Sequence, residues 1–486
     1  MARDTAQAHS GAHPASAVVR PMLAHESLYV GVDVGKQQHM AGFVSLTLLQ
    51  RHERFEGCPV LRFANTREGF RQLVDRLHDY VPLEQCFVLL EKTGHYQNAL
   101  VDYLLDLDIS VYLMHVHRRP RGLLKTDKRD ALNLANHLYN QLEKGIQVAD
   151  KTQWARSAVP PTSAATRLKS LTGHRYELVH ESTQRKNQLT ALCDQLVPEF
   201  TQVFRDPNSP AALAVRAQFP TAEAIATADL AQLCTAKGPR RPSRQEMEHL
   251  QQLAIQSIGV KDPGRLQGLV FEQRQLIREL HLLQEHLAQI DAEVACILEH
   301  AREGRILLSM PWLGLSSAAA ILAAIGNIDN FASAAALKAY FGWAPKVIQS
   351  GVSTDSATIS RAGERTMKEV LYLVAIRSVS GSGAWAPLYH RLVERTCAYD
   401  ERTRSYRGKK KVVGRVAGQI TAMIYAFLKA DADMLAKTPQ GSEPPPPMLY
   451  DAGIHQAHRA GAYRTMKPAV ERGRLIRLAK REPPTG

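Results

Sequence analysis

Four carboxylates stand at positions from which they could share a metal ion. Asp33 and Glu91 each end an apolar segment with the character of a buried strand. A carboxylate in such a place is costly unless it is paired, protonated or metal-bound. Asp127 and Asp130 follow three residues apart, which is the spacing of one helix face. If the two strands are neighbours, about 4.8 Å apart, all four side chains can converge.

Such a cluster predicts a particular metal and a particular chemistry. Two bare carboxylates about 4 Å apart repel by roughly 4 kcal/mol at an effective dielectric constant of 20, so they need a cation between them. An all-oxygen ligand set without Cys or paired His favours Mg²⁺ or Mn²⁺, which suits phosphodiester chemistry. A lone Asp-x-x-Asp on a helix is more often a solvated face or an N-cap. The acids that end two core strands favour the functional interpretation here.

The elements that must position the acids form an α/β pattern up to about residue 150. Strands and helices alternate, which predicts a mixed sheet covered on both faces. The predicted strands are 28–34, 41–44, 86–91 and 110–114, and the predicted helices are 66–77 and 96–105.

The apolar period becomes helical between about residues 160 and 305. Seven residues recur at spacings of four and three, and they are Leu276, Leu280, Leu283, Leu287, Ile290, Val294 and Ile297. They predict a coiled-coil rod of roughly 30 Å. A weaker seam from Leu168 to Leu196 pairs with it as an antiparallel hairpin or across subunits. Residues 201–265, which contain six prolines, predict short helices and loops at the tip of the rod.

The last part of the chain predicts more helices and then a tail. A turn at 311–316 opens an Ala-rich helix that Gly326 ends, and further helices follow to about Lys429. The five prolines between 439 and 447 predict a linker. The last 39 residues carry eight Lys or Arg against three acids, which predicts a mobile, anion-seeking tail.

Composition favours a polyanionic partner and excludes several classes of protein. Sixty-one Lys and Arg against 47 Asp and Glu give a net charge of +14. Six separated cysteines without a Cys-x-x-Cys pair argue against a zinc ribbon or a disulfide framework. No apolar run approaches the roughly 20 residues of a membrane span, and residues 1–27 lack the apolar core of a signal peptide. We therefore expect a cytoplasmic, nucleoid-associated protein with a loose N-terminal tail and no membrane partner.

Seven motifs in order together resemble one family. They are YVGVDVGK from Tyr29, LLEKTGHY from Leu89, KTDKRDA from Lys125, LSMPWLG from Leu308, YFGWAP from Tyr340, QSGVS from Gln349 and ISRAG from Ile359. The set resembles the DEDD transposases of the insertion-sequence family one hundred and ten, which are related to the pilin-gene invertases. The resemblance covers about residues 28–430.

The resemblance implies a domain plan. Residues 28–155 would form an RNase H-like (RuvC-like) catalytic domain of α/β class, 156–305 a coiled-coil hairpin with short helices inserted at 201–265, and 306–430 a mostly helical transposase domain. The tails 1–27 and 431–486 lie outside it.

It also implies the site and the partners. Asp33, Glu91, Asp127 and Asp130 would be metal ligands, and a serine before a glycine, here Ser350, would be the nucleophile. Members act on donor and target DNA with a bridge RNA, and they form dimers or tetramers with composite sites.

A serine hydroxyl is a weak nucleophile that needs a base or a metal nearby. A covalent phosphoserine would keep the energy of the phosphodiester for religation, which favours recombination over hydrolysis. Ser353 and Ser356 lie in the same polar segment and remain alternatives to Ser350.

Basic residues flank both predicted parts of the site and predict phosphate contacts. They are Arg118, Arg119, Arg121, Lys125, Lys128, Arg361, Arg365, Lys368, Lys409, Lys410 and Lys411. The last three belong to the run 402–415, which has seven bases and no acid, with Tyr406 available to stack on a base.

Two other functions compete with a recombinase. The motif Val32-Asp-Val-Gly35 also fits actin-like ATPases and kinases, but Lys36-Gln-Gln38 follows where they need small hydroxyl and glycine residues. A non-catalytic nucleic-acid scaffold would need only the basic tail and the coiled coil. Metal-dependent DNA cleavage that Asp33→Asn abolishes distinguishes an enzyme from the scaffold.

Overall fold

The protein divides into two compact units, Met1–Pro160 and Pro161–Gly486, in a computed structural model. The structure describes residues 23, 25–92, 94–115, 126–146, 155–234, 242–350, 354–359, 363–381, 383–439 and 441–454. For 115, 345–350 and 354–359 it describes the backbone alone. None of the described helices is both long and apolar enough to cross a membrane.

Unit 1 is built on a six-stranded mixed sheet in the order β3-β2-β1-β4-β5-β6. The strands are β1 (Leu28–Asp33), β2 (Gln38–Val44), β3 (Val60–Ala64), β4 (Cys86–Lys92), β5 (Ser110–His115) and β6 (Arg156–Ser157). β1, β4 and β5 are parallel, and the other neighbouring pairs are antiparallel. The predicted mixed sheet is confirmed, while β3 was not predicted.

Four helices accompany the sheet: α1 (Leu46–His52), α2 (Arg67–His78), α3 (Asn98–Leu105) and α4 (Asp127–Leu142). α2 begins where Thr66 accepts a hydrogen bond from the Gly69 amide, as a capping threonine does. Consecutive residues of β1, from Leu28 to Val32, are buried, so both faces of this central strand are covered. Leu23 also packs in this core, so the expectation of a loose tail over residues 1–27 is wrong at this residue.

Unit 2 contains two long helices, α5 (Ser163–Leu196) and α11 (Pro263–His300), which lie antiparallel. Three ion pairs fix the direction, because early residues of α5 pair with late residues of α11: Arg167–Glu293, Arg175–Asp291 and Arg185–Glu279. Every residue of the predicted α11 seam is buried or half-buried. The 38 residues of α11 span about 57 Å, longer than predicted, because the helix already begins at Pro263 behind the capping Asp262.

The described residues between α5 and α11 form five short helices. They are α6 (Phe200–Val203), α7 (Pro210–Gln218), α8 (Ala222–Thr227), α9 (Leu230–Leu233) and α10 (Arg244–Ile255). Phe200, Ile225 and Met247 are fully buried in their small core.

The remainder of unit 2 is mostly helical. Its helices are α12 (Arg302–Leu308), α13 (Leu315–Ile325), α14 (Ala334–Tyr340), α15 (Arg365–Val379), α16 (Ala386–Thr396) and α17 (Lys409–Ala436). Two antiparallel strand pairs interrupt the helices of this domain, which was expected to be mostly helical: β7 (Pro345–Ser350) with β8 (Thr354–Ile359) and β9 (Ala398–Asp400) with β10 (Ser405–Arg407). Gly326 ends α13 with φ +69°, as predicted.

The described part of the proline-rich segment differs from the expected linker. Arg302 pairs with the buried Asp431 and donates hydrogen bonds to the carbonyl oxygens of Pro445 and Pro446. The ring of Tyr450 meets Trp312 edge to face at 4.9 Å. This segment is therefore held against the helices.

Candidate functional site

Two of the predicted acids lie side by side at the carboxyl ends of neighbouring parallel strands. Val32 of β1 pairs with Leu90 of β4, so the residues that follow, Asp33 and Glu91, are adjacent. Neighbouring strands are about 4.8 Å apart, and paired residues point to the same face of a sheet. Both acids are half-buried. The register alone thus gives two carboxylates on one face of the sheet edge.

α4 covers that same face and touches β1 backbone to backbone. A Cβ placed on Gly31 would lie 2.2 Å from the carbonyl oxygen of Ala131 and 2.3 Å from the amide nitrogen of Ala135. Because side chains alternate along a strand, Asp33 points to the same face as position 31. Asp33 therefore faces the α4 side of the sheet.

The helix runs antiparallel to β1, which decides where its acids lie. Near the start of β1, Tyr29 contacts Tyr139 and donates a hydrogen bond to Glu143, both at the end of α4. Two residues later, Gly31 contacts Ala131, near the start of α4. Asp33 lies two residues further along β1, at its end. The first turn of α4 consequently lies at the carboxyl-terminal edge of the sheet.

That first turn holds the other two acids. Thr126 caps the helix by accepting a hydrogen bond from the Arg129 amide at 3.3 Å. Acids in a first turn are stabilised by the positive end of the helix dipole, which suits Asp127 and Asp130. Asp130 is buried, with 7% of its surface exposed, whereas Asp127 is exposed. The structure thus brings the backbone positions of all four acids to one edge.

The side chains of the four acids do not form a metal-binding cluster in the structure. Among the residues that the structure describes, no three His, Cys, Asp or Glu side chains are grouped closely enough to hold a metal ion. Convergence of the four acids on one or two ions stays a prediction.

The turn after Asp33 depends on a residue that sequence reasoning missed. The buried His39 accepts a hydrogen bond at Nδ1 from the Gly35 amide at 3.2 Å. Burial lowers the pKa of His39 below its ordinary value of 6.5, because an apolar site disfavours the protonated ring. Because the partner of His39 is a backbone amide, the side-chain pattern of the sequence held no signal for this contact.

The structure describes two of the three predicted serines, and of these two it describes the backbone alone. Ser350 ends β7, where its backbone pairs with Thr354, and Ser356 lies within β8 opposite Ile348. Ser353 lies outside the described residues.

The predicted basic residues fall into two groups. Those that begin helices are Lys128 in α4, Arg365 and Lys368 in α15, and Lys409, Lys410 and Lys411 in α17. Those outside the described residues are Arg118, Arg119, Arg121, Lys125 and Arg361.

Two family profiles match the chain over these regions. The first, described as a transposase family, covers residues 30–198, and the second, described as the IS116/IS110/IS902 transposase family, covers residues 304–391. The chain belongs to the IS110 transposase family. All four acids of the transposase lie inside the first match, and Ser350 lies inside the second.

Three relatives of this transposase support the same family assignment. The uncharacterized 43.6 kDa protein of insertion element IS110 from Streptomyces coelicolor is 25% identical over 66% of this chain and 75% of its own. The 44.8 kDa protein of IS116 from Streptomyces clavuligerus is 22% identical over 72% of this chain and 84% of its own. The pilin gene-inverting protein of Moraxella bovis is 21% identical over 82% of this chain and 95% of its own.

Proposed function

We propose that this transposase cuts and rejoins DNA with divalent metal ions held by Asp33, Glu91, Asp127 and Asp130 and with Ser350 as the nucleophile. The main support for the proposal is the packing of α4 antiparallel to β1, with Gly31 against Ala131. This packing favours a position of all four acids at the same edge of the sheet. Carboxylates at the ends of central strands and on a covering helix fit an RNase H-like domain.

The donor set fits hard cations. Four carboxylates without sulfur ligands suit Mg²⁺ or Mn²⁺, which would neutralise charge on the phosphate and polarise its oxygens. The four acids of this chain would hold and orient these ions.

The serine would do the covalent chemistry. Its Oγ attacks the phosphorus of the scissile phosphodiester, a bond from Oγ to phosphorus forms, and the bond to the 3′ oxygen breaks. The serine proton is lost and the 3′ oxygen gains one, which leaves a 3′ hydroxyl and a 5′ phosphoserine. A 3′ hydroxyl from another strand then attacks the phosphoserine and releases Ser350. One phosphodiester is exchanged for another, so no external energy source is needed.

We further propose a bridge RNA that selects donor and target DNA, and an oligomer built with the α5–α11 helices as a coiled coil. Both parts of this proposal rest on the resemblance to the family, whose members act with a bridge RNA and form oligomers. The Moraxella bovis relative is named for inverting a gene, and the same strand exchange here would yield insertion or inversion.

Trapping the covalent intermediate tests the nucleophile. The full protein, Mg²⁺, its associated RNA and DNA labelled at the 5′ phosphate of the joint are incubated and then separated under denaturing conditions. We expect a labelled protein–DNA adduct that Ser350→Ala abolishes and that Ser353→Ala and Ser356→Ala retain. An adduct that survives Ser350→Ala and disappears in either control variant would move the nucleophile.

Metal binding tests the acidic edge independently of the serine. Titration of Mn²⁺ into the protein, followed by electron paramagnetic resonance, should show sites that Asp33→Asn and Asp130→Asn weaken at least tenfold. Asp102→Asn, which changes an exposed acid on α3, is the matched control. Equal Mn²⁺ affinity in all four proteins would refute the metal site and favour a non-catalytic scaffold.

A further inference from the structure

A small β-hairpin next to the start of α17 carries an unusual concentration of unpaired positive charge. β9 and β10 pair over three residues, with Tyr399 opposite Tyr406, and Gly408 then turns the chain directly into α17. The turn between the strands contains Arg402 and Arg404. Six exposed cations that pair with no acid among the described residues lie on this hairpin and the following helix: Arg402, Arg404, Lys409, Lys410, Lys411 and Arg415.

The cations of the hairpin and of the start of α17 differ in whether they form ion pairs. Arg407 pairs with Asp400, and this contact lowers the pKa of the Asp400 carboxyl together with hydrogen bonds from the turn, against the opposing effect of burial. Within the described residues, none of the six other cations forms an ion pair. Three lysines in the first turn of α17 also oppose the helix dipole, which favours acids there. The six cations therefore do not stabilise the fold.

An aromatic face lies between the charged turn and the lysines. Tyr399 has 55% of its surface exposed, whereas Tyr406 is half-buried and supports it edge to face at 5.0 Å. Tyr399 is therefore the more exposed of the two rings, opposite the Tyr406 that the sequence suggested for stacking. A cluster of exposed cations beside an exposed ring suits single-stranded nucleic acid, because its bases are free to stack and those of a duplex are not.

We propose that the β9–β10 hairpin and the first turn of α17 bind single-stranded nucleic acid, with Arg402, Arg404 and the lysines on phosphates and Tyr399 stacked on a base. The shared chemistry is a phosphodiester backbone with unpaired bases, which an RNA loop or a displaced DNA strand can supply. This inference rests on the proposed function, which requires a nucleic-acid partner.

Fluorescence anisotropy on the full protein tests it, with labelled RNA and DNA single strands of about 20 nucleotides and a DNA duplex of the same length. We expect Tyr399→Ala to weaken single-strand binding about tenfold and to leave duplex binding unchanged, while Tyr399→Trp restores it. The double variant Arg402→Ala/Arg404→Ala should reduce the slope of log affinity against log salt by about 1.4, or about 0.7 for each lost contact.

The controls decide whether the site is specific. Arg274→Ala/Arg278→Ala removes the same charge from exposed positions on α11, and it should leave the affinity nearly unchanged. Equal losses in the two double variants would reduce the effect to net charge, and an unaffected Tyr399→Ala would refute the stacking site. Tighter binding of RNA or of DNA would identify the source. If the inference holds, the Asp33→Asn variant keeps its affinity for single-stranded nucleic acid. Retained DNA cleavage by the same variant would refute the proposed function and leave this inference intact.

Discussion

Unit 1 and unit 2 bring distant segments together in different ways. In unit 1, α4 lies so close to β1 that backbone touches backbone, and only glycine fits at position 31. In unit 2, α5 and α11 are separated by rows of leucine and isoleucine side chains and are joined by ion pairs at their margins. The first contact is made by backbone against backbone, whereas the second is made by side chains along both helices. The candidate acids depend on the backbone contact, so position 31 should tolerate change least.

Gly31→Ala should have the largest effect. A methyl group there would lie 2.2 Å from the Ala131 carbonyl oxygen, and the neighbour is backbone that cannot turn aside. We expect a loss of about 3 kcal/mol in unit 1 and a displaced first turn of α4, with weaker Mn²⁺ binding. Hydrogen exchange of the β1 and α4 amides measures this loss. Unchanged protection would mean that the close approach is not required.

Asp431→Asn should rank second. Its carboxylate accepts hydrogen bonds from Arg302 Nε at 2.6 Å and Nη2 at 2.8 Å and from the Met448 amide at 3.1 Å. Removal of one charge of this pair should cost about 3 kcal/mol at most and free the segment around Pro445. Limited proteolysis and thermal unfolding report the two effects.

Asp433→Asn is the matched control for this change. Asp433 is half exposed and, among the described residues, pairs only with Lys429, so its loss should cost less than about 1 kcal/mol. Similar effects of the two substitutions would show that burial of Asp431 does not matter.

Much of unit 1 could be predicted because local patterns decide it. The apolar segments that end in Asp33 and Glu91 became neighbouring parallel strands, and the Thr126 cap set the start of α4. β3 escaped prediction, because most of its residues are only half-buried and show no clear alternation.

Contacts between distant residues escaped prediction in unit 2. Arg302 and Asp431 are 129 positions apart, so nothing local marks the proline segment as held in place. The β9–β10 hairpin is rich in charge and lacks the apolar alternation that predicts strands. His39 was missed because its partner is a backbone amide, which leaves no pattern in the side chains.

Gly173→Ala should have a smaller effect of opposite sign. This glycine lies inside α5 with no other atom within 4 Å of an added Cβ. Alanine reduces the conformational freedom of the unfolded chain and favours helix, so unit 2 should gain about 1 kcal/mol. Thermal unfolding measures it. Destabilisation would place an unseen partner against this face of the helix.

The ion pairs at the margin of the two long helices should contribute least. Arg175 holds Asp291 through two hydrogen bonds of 2.6 and 3.2 Å, yet both side chains remain partly exposed to water. Water screens the attraction, and ordering two long side chains costs entropy, so a double-mutant cycle of Arg175→Ala and Asp291→Ala should give a coupling below about 1 kcal/mol. Arg185 and Glu279, equally exposed further along, should behave alike. A coupling above about 2 kcal/mol at either pair would mean that charge, and not the leucine seam, holds α5 to α11, and the contrast with unit 1 would fail.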